Sequence, residues 1–171
     1  VVLLITALLG ANSAYLAGVT ALEWFTGEAR YQNYFYMIMF AVHLGLGLLL
    51  IVPFVVFAGL HLVNTWKRKN RRAVRVGYFL LAACLTLLGS GLVLMRVDGF
   101  EAIQIRSPGG RTLAYWLHVL SPLAVLWLYW LHRLAGPRIK WKIGLAYGGA
   151  VAAMCGGLLL LHGLDPRTWN P

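Results

Sequence analysis

Five apolar runs, each about as long as a bilayer is thick, constrain this chain more than any other feature. They cover residues 1–22, 34–66, 74–95, 112–134 and 141–162. A membrane-spanning helix needs about 20 predominantly apolar residues, and each run meets that length. The central stretch of each run lacks Asp, Glu, Lys and Arg. Of the 171 residues, 60% are hydrophobic and only 12% charged. A water-soluble domain carries about twice that charged share. The expected fold class is therefore all-α, a transmembrane helical bundle. Short loops join the runs, so one bundle is expected rather than several domains. The first run is read as a retained helix and not a signal peptide: no basic stretch precedes it, and Asn12-Ser13 interrupts it.

The net charge of +10 could suggest a nucleic-acid partner, but its distribution points elsewhere. The loop between runs two and three holds Lys67, Arg68, Lys69, Arg71 and Arg72, with Arg75 just beyond. The loop between runs four and five holds Arg133, Arg138, Lys140 and Lys142. Neither loop has an acidic residue. Five crossings place both loops on one side. On the other side Arg30, Arg96, Arg106, Arg111 and Arg167 balance Glu23, Glu28, Asp98, Glu101 and Asp165. Basic residues collect on the cytoplasmic side of membrane proteins. The N-terminus is thus expected inside and the C-terminus outside, in what reads as a bacterial cytoplasmic membrane. The basic loops would meet anionic lipid headgroups; no nucleic-acid partner is expected.

Runs two and four each carry two histidines: His43 and His61 on one, His118 and His132 on the other. An ionisable side chain inside hydrocarbon is costly, and is a functional hypothesis by default. His43 and His61 are 18 residues apart, five helical turns, and share a face about 27 Å apart along the axis. His118 and His132 are 14 apart, nearly four turns, about 21 Å. Runs two and four point the same way, because one crossing separates them. His43 is then level with His118 and His61 with His132, and each pair offers two axial imidazoles to one iron. Two b haems, one near each face, are the expected cofactors. The unequal spacings leave a mismatch of about 6 Å. Pro53 and Pro122 lie between the paired histidines and can bend their helices.

Other residues are read around this core. Gly47 and Ser121, each about one turn past a histidine, would give a porphyrin clearance, and Gly59 and Gly89-Ser90-Gly91 are further small residues. Small residues serve close helix packing equally well. Phe54, Phe57, Trp116, Trp127 and Trp130 would line haems or face lipid. Arg106 and Arg111 outside, and Arg75, Lys140 and Lys142 inside, are candidate propionate partners or solvated topology charges. His162 ends the fifth run, either as a plain interfacial histidine or as a partner of a quinone or a haem edge.

Other roles for the four histidines stay open: hydrogen bonding between helices, or proton or metal-ion passage in a small transporter or anchor subunit. Passage sites usually recruit intramembrane carboxylates, which the spans lack. Zinc or copper storage would want thiolates or carboxylates beside the imidazoles. Cys84 and Cys155 lie mid-run as small hydrophobes, and no Cys-x-x-Cys-His signals attached c-type haem.

The thirteen residues between His118 and His132, with Ser121-Pro122 and Trp130 among them, resemble the ligand helix of membrane dihaem b-type cytochromes. That group includes the quinol-oxidising cytochrome b, the cytochrome b subunits of formate dehydrogenase and hydrogenase, and ferric-reductase-like domains. The resemblance covers runs two to five. It implies a four-helix dihaem domain over 34–162, an extra N-terminal helix over 1–22 and an outward tail or linker over 163–171. It implies His43, His61, His118 and His132 as axial ligands. It further implies electron transfer between membrane quinone and other redox subunits, with a c-type cytochrome or another carrier outside. Such a chain is an electron-transfer subunit rather than a complete enzyme. Two departures stand out: seventeen residues separate the histidines of run two, and the Pro-Glu-Trp quinol motif is absent.

Overall fold

A computed structural model describes residues 2–27, 31–95, 105–136 and 139–167. Of the charged residues, Glu28, Arg30, Arg96, Asp98, Glu101 and Arg138 lie outside the described residues, as do residues 168–171 of the expected tail. The fold is all-α. Among the described residues there are five α-helices, α1 (Val2–Thr26), α2 (Tyr34–Thr65), α3 (Arg71–Leu94), α4 (Pro108–Ala135) and α5 (Trp141–Leu164). All five are long and apolar enough to cross a membrane, as a multi-pass membrane protein requires.

All the helices but α2 extend past their apolar runs at one end or both, because local capping as well as hydropathy sets helix ends. Asn70 starts α3, its side-chain oxygen accepting from Ala73 N at 3.1 Å. Ser107 starts α4 by accepting from Gly110 N at 3.3 Å, with Pro108 in the first turn, where its missing N–H costs nothing. Beyond the end of α1, Gly27 has φ +68° and donates its N–H to Glu23 O at 2.8 Å. A side chain with a Cβ rarely adopts that left-handed geometry, so glycine is the natural residue at this stop. α2 runs unbroken through Pro53.

Helix packing divides the chain into two compact units, with the boundary inside α2 after Val55. The first unit joins α1, the first part of α2 and α5. α1 packs on α5 and buries Ile5, Ala7, Ala11, Tyr15 and Val19. Ala7 and Ala11 are small, which lets helix backbones approach closely where lipid offers no hydrophobic drive. Asn12 is buried with them and donates to Met39 O of α2 at 3.0 Å. At the α2 entrance Asn33 Oδ1 caps Tyr36 N (2.9 Å), while its amide donates to the carbonyls of His162 (2.9 Å) and Asp165 (3.2 Å). Asp165 Oδ2 also accepts from Phe35 N at 3.1 Å.

The second unit joins the rest of α2, α3 and α4. Its principal interface is α3 against α4, which buries Ser90, Ala114 and Ser121. Asn70 Nδ2 donates to Ala135 O at 2.7 Å and ties the start of α3 to the end of α4. In both units large apolar side chains point outward, such as Val63 at 79% and Leu160 at 72% exposure. In water such a surface would aggregate; in hydrocarbon it is the solvent-matched face.

Arg167 grips Asp165 with two bonds, Nε to Oδ1 at 2.8 Å and Nη2 to Oδ2 at 3.0 Å. Its guanidinium also lies 5.4 Å from the Tyr34 ring centre. Asp165 to Arg167, the start of the expected linker, thus clamp back onto the α2 entrance. The Arg167 hydrogen bond pulls the Asp165 carboxyl down from its ordinary 3.8 to about 2. A depressed carboxyl stabilises the fold fully above its ordinary value and loses that contribution as pH falls through the lowered one. Melting in detergent between pH 5 and pH 2 should therefore lose stability below about pH 4, and Asp165→Asn should flatten that dependence. Equal acid sensitivity in the variant would count against the clamp.

Candidate metal centre

His61 and His132 come together in the second unit. Their ring centres are 6.1 Å apart and their planes cross at 70°. Two imidazoles binding one metal ion from opposite sides, with metal–nitrogen bonds of about 2.0 Å, hold their ring centres about 6 Å apart. The 6.1 Å spacing suits one shared ion, and it is equally that of an edge-to-face ring contact. Phe57, one turn before His61, stacks on its ring at 5.6 Å and 18°.

The α4 histidines are held from the side by α3. His132 Nδ1 is 3.2 Å from Ala73 O, and His118 Nδ1 is 3.2 Å from Leu87 O. A carbonyl oxygen only accepts, so each Nδ1 carries the proton and the ring lone pair resides on Nε2. That tautomer is the one in which imidazole ligates through Nε2, and such an outer partner is the usual orienting device for a ligand histidine. Glycines let the rings come this near. A Cβ on Gly77 would stand 3.3 Å from His132 Cε1, and one on Gly91 would stand 2.9 Å from His118 Cε1.

His43 belongs to the first unit. Its Nδ1 is 3.4 Å from Ser13 Oγ. The Ser13 proton goes to Leu9 O at 2.7 Å, so the bond from His43 must be donated by Nδ1–H. The same tautomer results. His162 is also in the first unit, and its Nδ1 is 2.7 Å from the hydroxyl of fully buried Tyr15. It borders a cavity of about 380 Å³ with Gly18, Leu22, Tyr31 and Leu159. Tyr15→Phe should cost about 1 kcal/mol, the scale of one interhelical hydrogen bond in a membrane; an unchanged unfolding midpoint in detergent would refute that bond.

The small and basic residues expected around the haems are placed less decisively. A Cβ on Gly47 would meet no atom within 4 Å. Ser121 is buried and its hydroxyl donates to Leu117 O of its own helix. Arg111 is seven residues before His118 on α4, two turns along nearly the same face and about 10 Å nearer the helix start. Arg106 stands just before α4. Arg75 lies in the first turns of α3, with Lys140 and Lys142 at the start of α5; all three are exposed.

Gly77 and the carbonyls of Ala73 and Leu87 are participants that the sequence does not announce. One signal is present in it: Gly77 and Gly91 are 14 residues apart, as are His118 and His132.

No family model, curated protein or solved structure matches the chain.

The functional reading therefore rests on the chemistry of the side chains. Among the described residues no three His, Cys, Asp or Glu side chains form a metal-binding group. A two-imidazole pair suits an ion that arrives with its other donors, as iron does in a porphyrin. The His61–His132 pair fits that group in donor type and ring spacing, and His132 fits it in tautomer as well.

Proposed function

We propose that this chain is an electron-transfer subunit that moves electrons across a membrane through two b haems held by His43, His61, His118 and His132. The observation that carries the reading is the His61–His132 pair: two ring centres 6.1 Å apart, with Nδ1 of His132 engaged by a backbone carbonyl. The haem supplies one-electron redox chemistry; the chain orients the imidazoles, keeps water away and tunes the potentials through its hydrogen bonds. Arg106, Arg111, Arg75, Lys140 and Lys142 are the cations offered to the propionates. Membrane quinone is the proposed partner at one end. At the other we place a redox subunit, such as a c-type cytochrome on the outer face. Basic residues gathered on two loops favour a cytoplasmic N-terminus and an outer C-terminus in a bacterial membrane.

An optical spectrum tests the reading. Purified protein should show a Soret band and an α band that sharpen on reduction. A spectrum without them would sink the haem assignment and favour histidines used for proton passage or helix packing. Quinol analogues should reduce the haems or perturb their spectra; if neither happens, electrons enter from a protein partner.

A further inference from the structure

His61 and His132 meet from unequally held positions. The His132 ring is seated on α3. Its Nδ1 donates to Ala73 O at 3.2 Å, and a Cβ on Gly77 would stand 3.3 Å from its Cε1 and 3.4 Å from its Nδ1. The helix beneath it is tied as well, because Asn70 Nδ2 donates to Ala135 O at 2.7 Å, three residues past His132. The ring thus has a bond that sets its rotation and a wall that limits it.

His61 has neither. It is exposed, as are Phe57, Leu60 and Val63 of the same stretch of α2. Its ring neighbours are Phe57 of its own helix, at 5.6 Å and 18°, and His132 itself. Among the described residues no hydrogen bond reaches the His61 ring. The bond at this residue, from Thr65 Oγ1 to His61 O at 2.6 Å, is made to its backbone. A ligand imidazole held by an outer partner keeps its direction when the metal bond opens. One without such a partner must be ordered each time the bond closes, at a cost in side-chain entropy. Two imidazoles sharing one ion here therefore hold it with unequal persistence.

We propose that His61 is the exchangeable ligand of this centre and His132 the fixed one, so that a small neutral donor molecule can take the place of His61 on the iron. This rests on the haem reading above. The exchange is a ligand substitution with no change of oxidation state. The bond between the His61 nitrogen and iron breaks, its electron pair stays with the imidazole, and the incoming molecule supplies the pair for the new bond. No proton moves. Phe57, stacked one turn before His61, is the aromatic restraint that favours the ligating direction of the ring. The exchangeable position stands at the end of α2 that leads into the basic loop beginning at Lys67.

Carbon monoxide tests this on the reduced, haem-loaded full chain. It is a neutral ligand, and its adduct with reduced haem is diamagnetic, so nitrogen NMR of the imidazoles reads which histidine has left. The Soret band should shift, His61 should appear as a free imidazole, and the Nδ1–H resonance of His132 should persist. Before carbon monoxide is added, the Nδ1–H of His132 should exchange with water more slowly than that of His61. Phe57→Ala should tighten carbon monoxide binding about threefold to tenfold, the effect of one aromatic contact, because His61 then competes less well. Haem bands that carbon monoxide leaves unchanged, release of His132 in place of His61, or equal exchange of the two N–H groups would overturn this inference alone. A chain that binds no haem would overturn the proposed function and this inference together.

Discussion

Replacing His132 by alanine is expected to halve the haem content and leave the other centre in place. His132 is one of two imidazoles whose rings stand 6.1 Å apart, and a six-coordinate bis-histidine iron cannot keep its ligation with His61 alone. His61→Ala should give the same result. The double variant should lose no more than either single one, because the two residues act as a unit. Haem per chain and a redox titration of the remaining band measure this. Survival of both haems in either variant would dissolve the assignment of His61 and His132 to one iron.

Gly91→Ala is expected to have the next largest effect. The new Cβ would sit 2.9 Å from His118 Cε1, closer than real Cβ atoms stand, and a tight 3.3 Å from Nδ1. The ring has little room to yield, because Nδ1 is bonded to Leu87 O on the same helix as Gly91. Either the imidazole turns away or α3 and α4 separate. Overpacking of this kind costs about 1–3 kcal/mol, and a displaced orienting bond typically lowers metal affinity about 10–100-fold. Gly77→Ala should be milder, since its Cβ would meet His132 at 3.3 Å. Gly89→Ala is the control: its Cβ meets no atom within 4 Å, so haem content and melting should match the parent. Equal behaviour of the three variants would mean that α3 does not position the rings.

The five helices were legible in the sequence to within a few residues. Spanning hydrocarbon demands length and apolarity, and both are local properties of a run. The ends were less legible: Asn70, Ser107 and Gly27 set them through capping bonds and backbone conformation. The histidines were legible as candidates because a titratable group stands out in an apolar run. The orienting partners of the α4 histidines were not, because Ala73 O and Leu87 O are backbone carbonyls, and every residue has one.

Sequence by itself determined that this is an all-helical membrane chain, with two histidines each on α2 and α4 and its net positive charge collected around two loops. Charge, apolarity and helical period carry those conclusions without any contact between helices. The nearness of His61 and His132 was an expectation from spacing that the tertiary structure turned into a ring contact; it alone decided that the Ala73 and Leu87 carbonyls hold the proton of the α4 histidines on Nδ1, and that Asp165 folds back to the start of α2. Each depends on which face of one helix meets which face of another. That choice is made by small residues such as Gly77 and Gly91, whose role is visible only when the neighbour is in place.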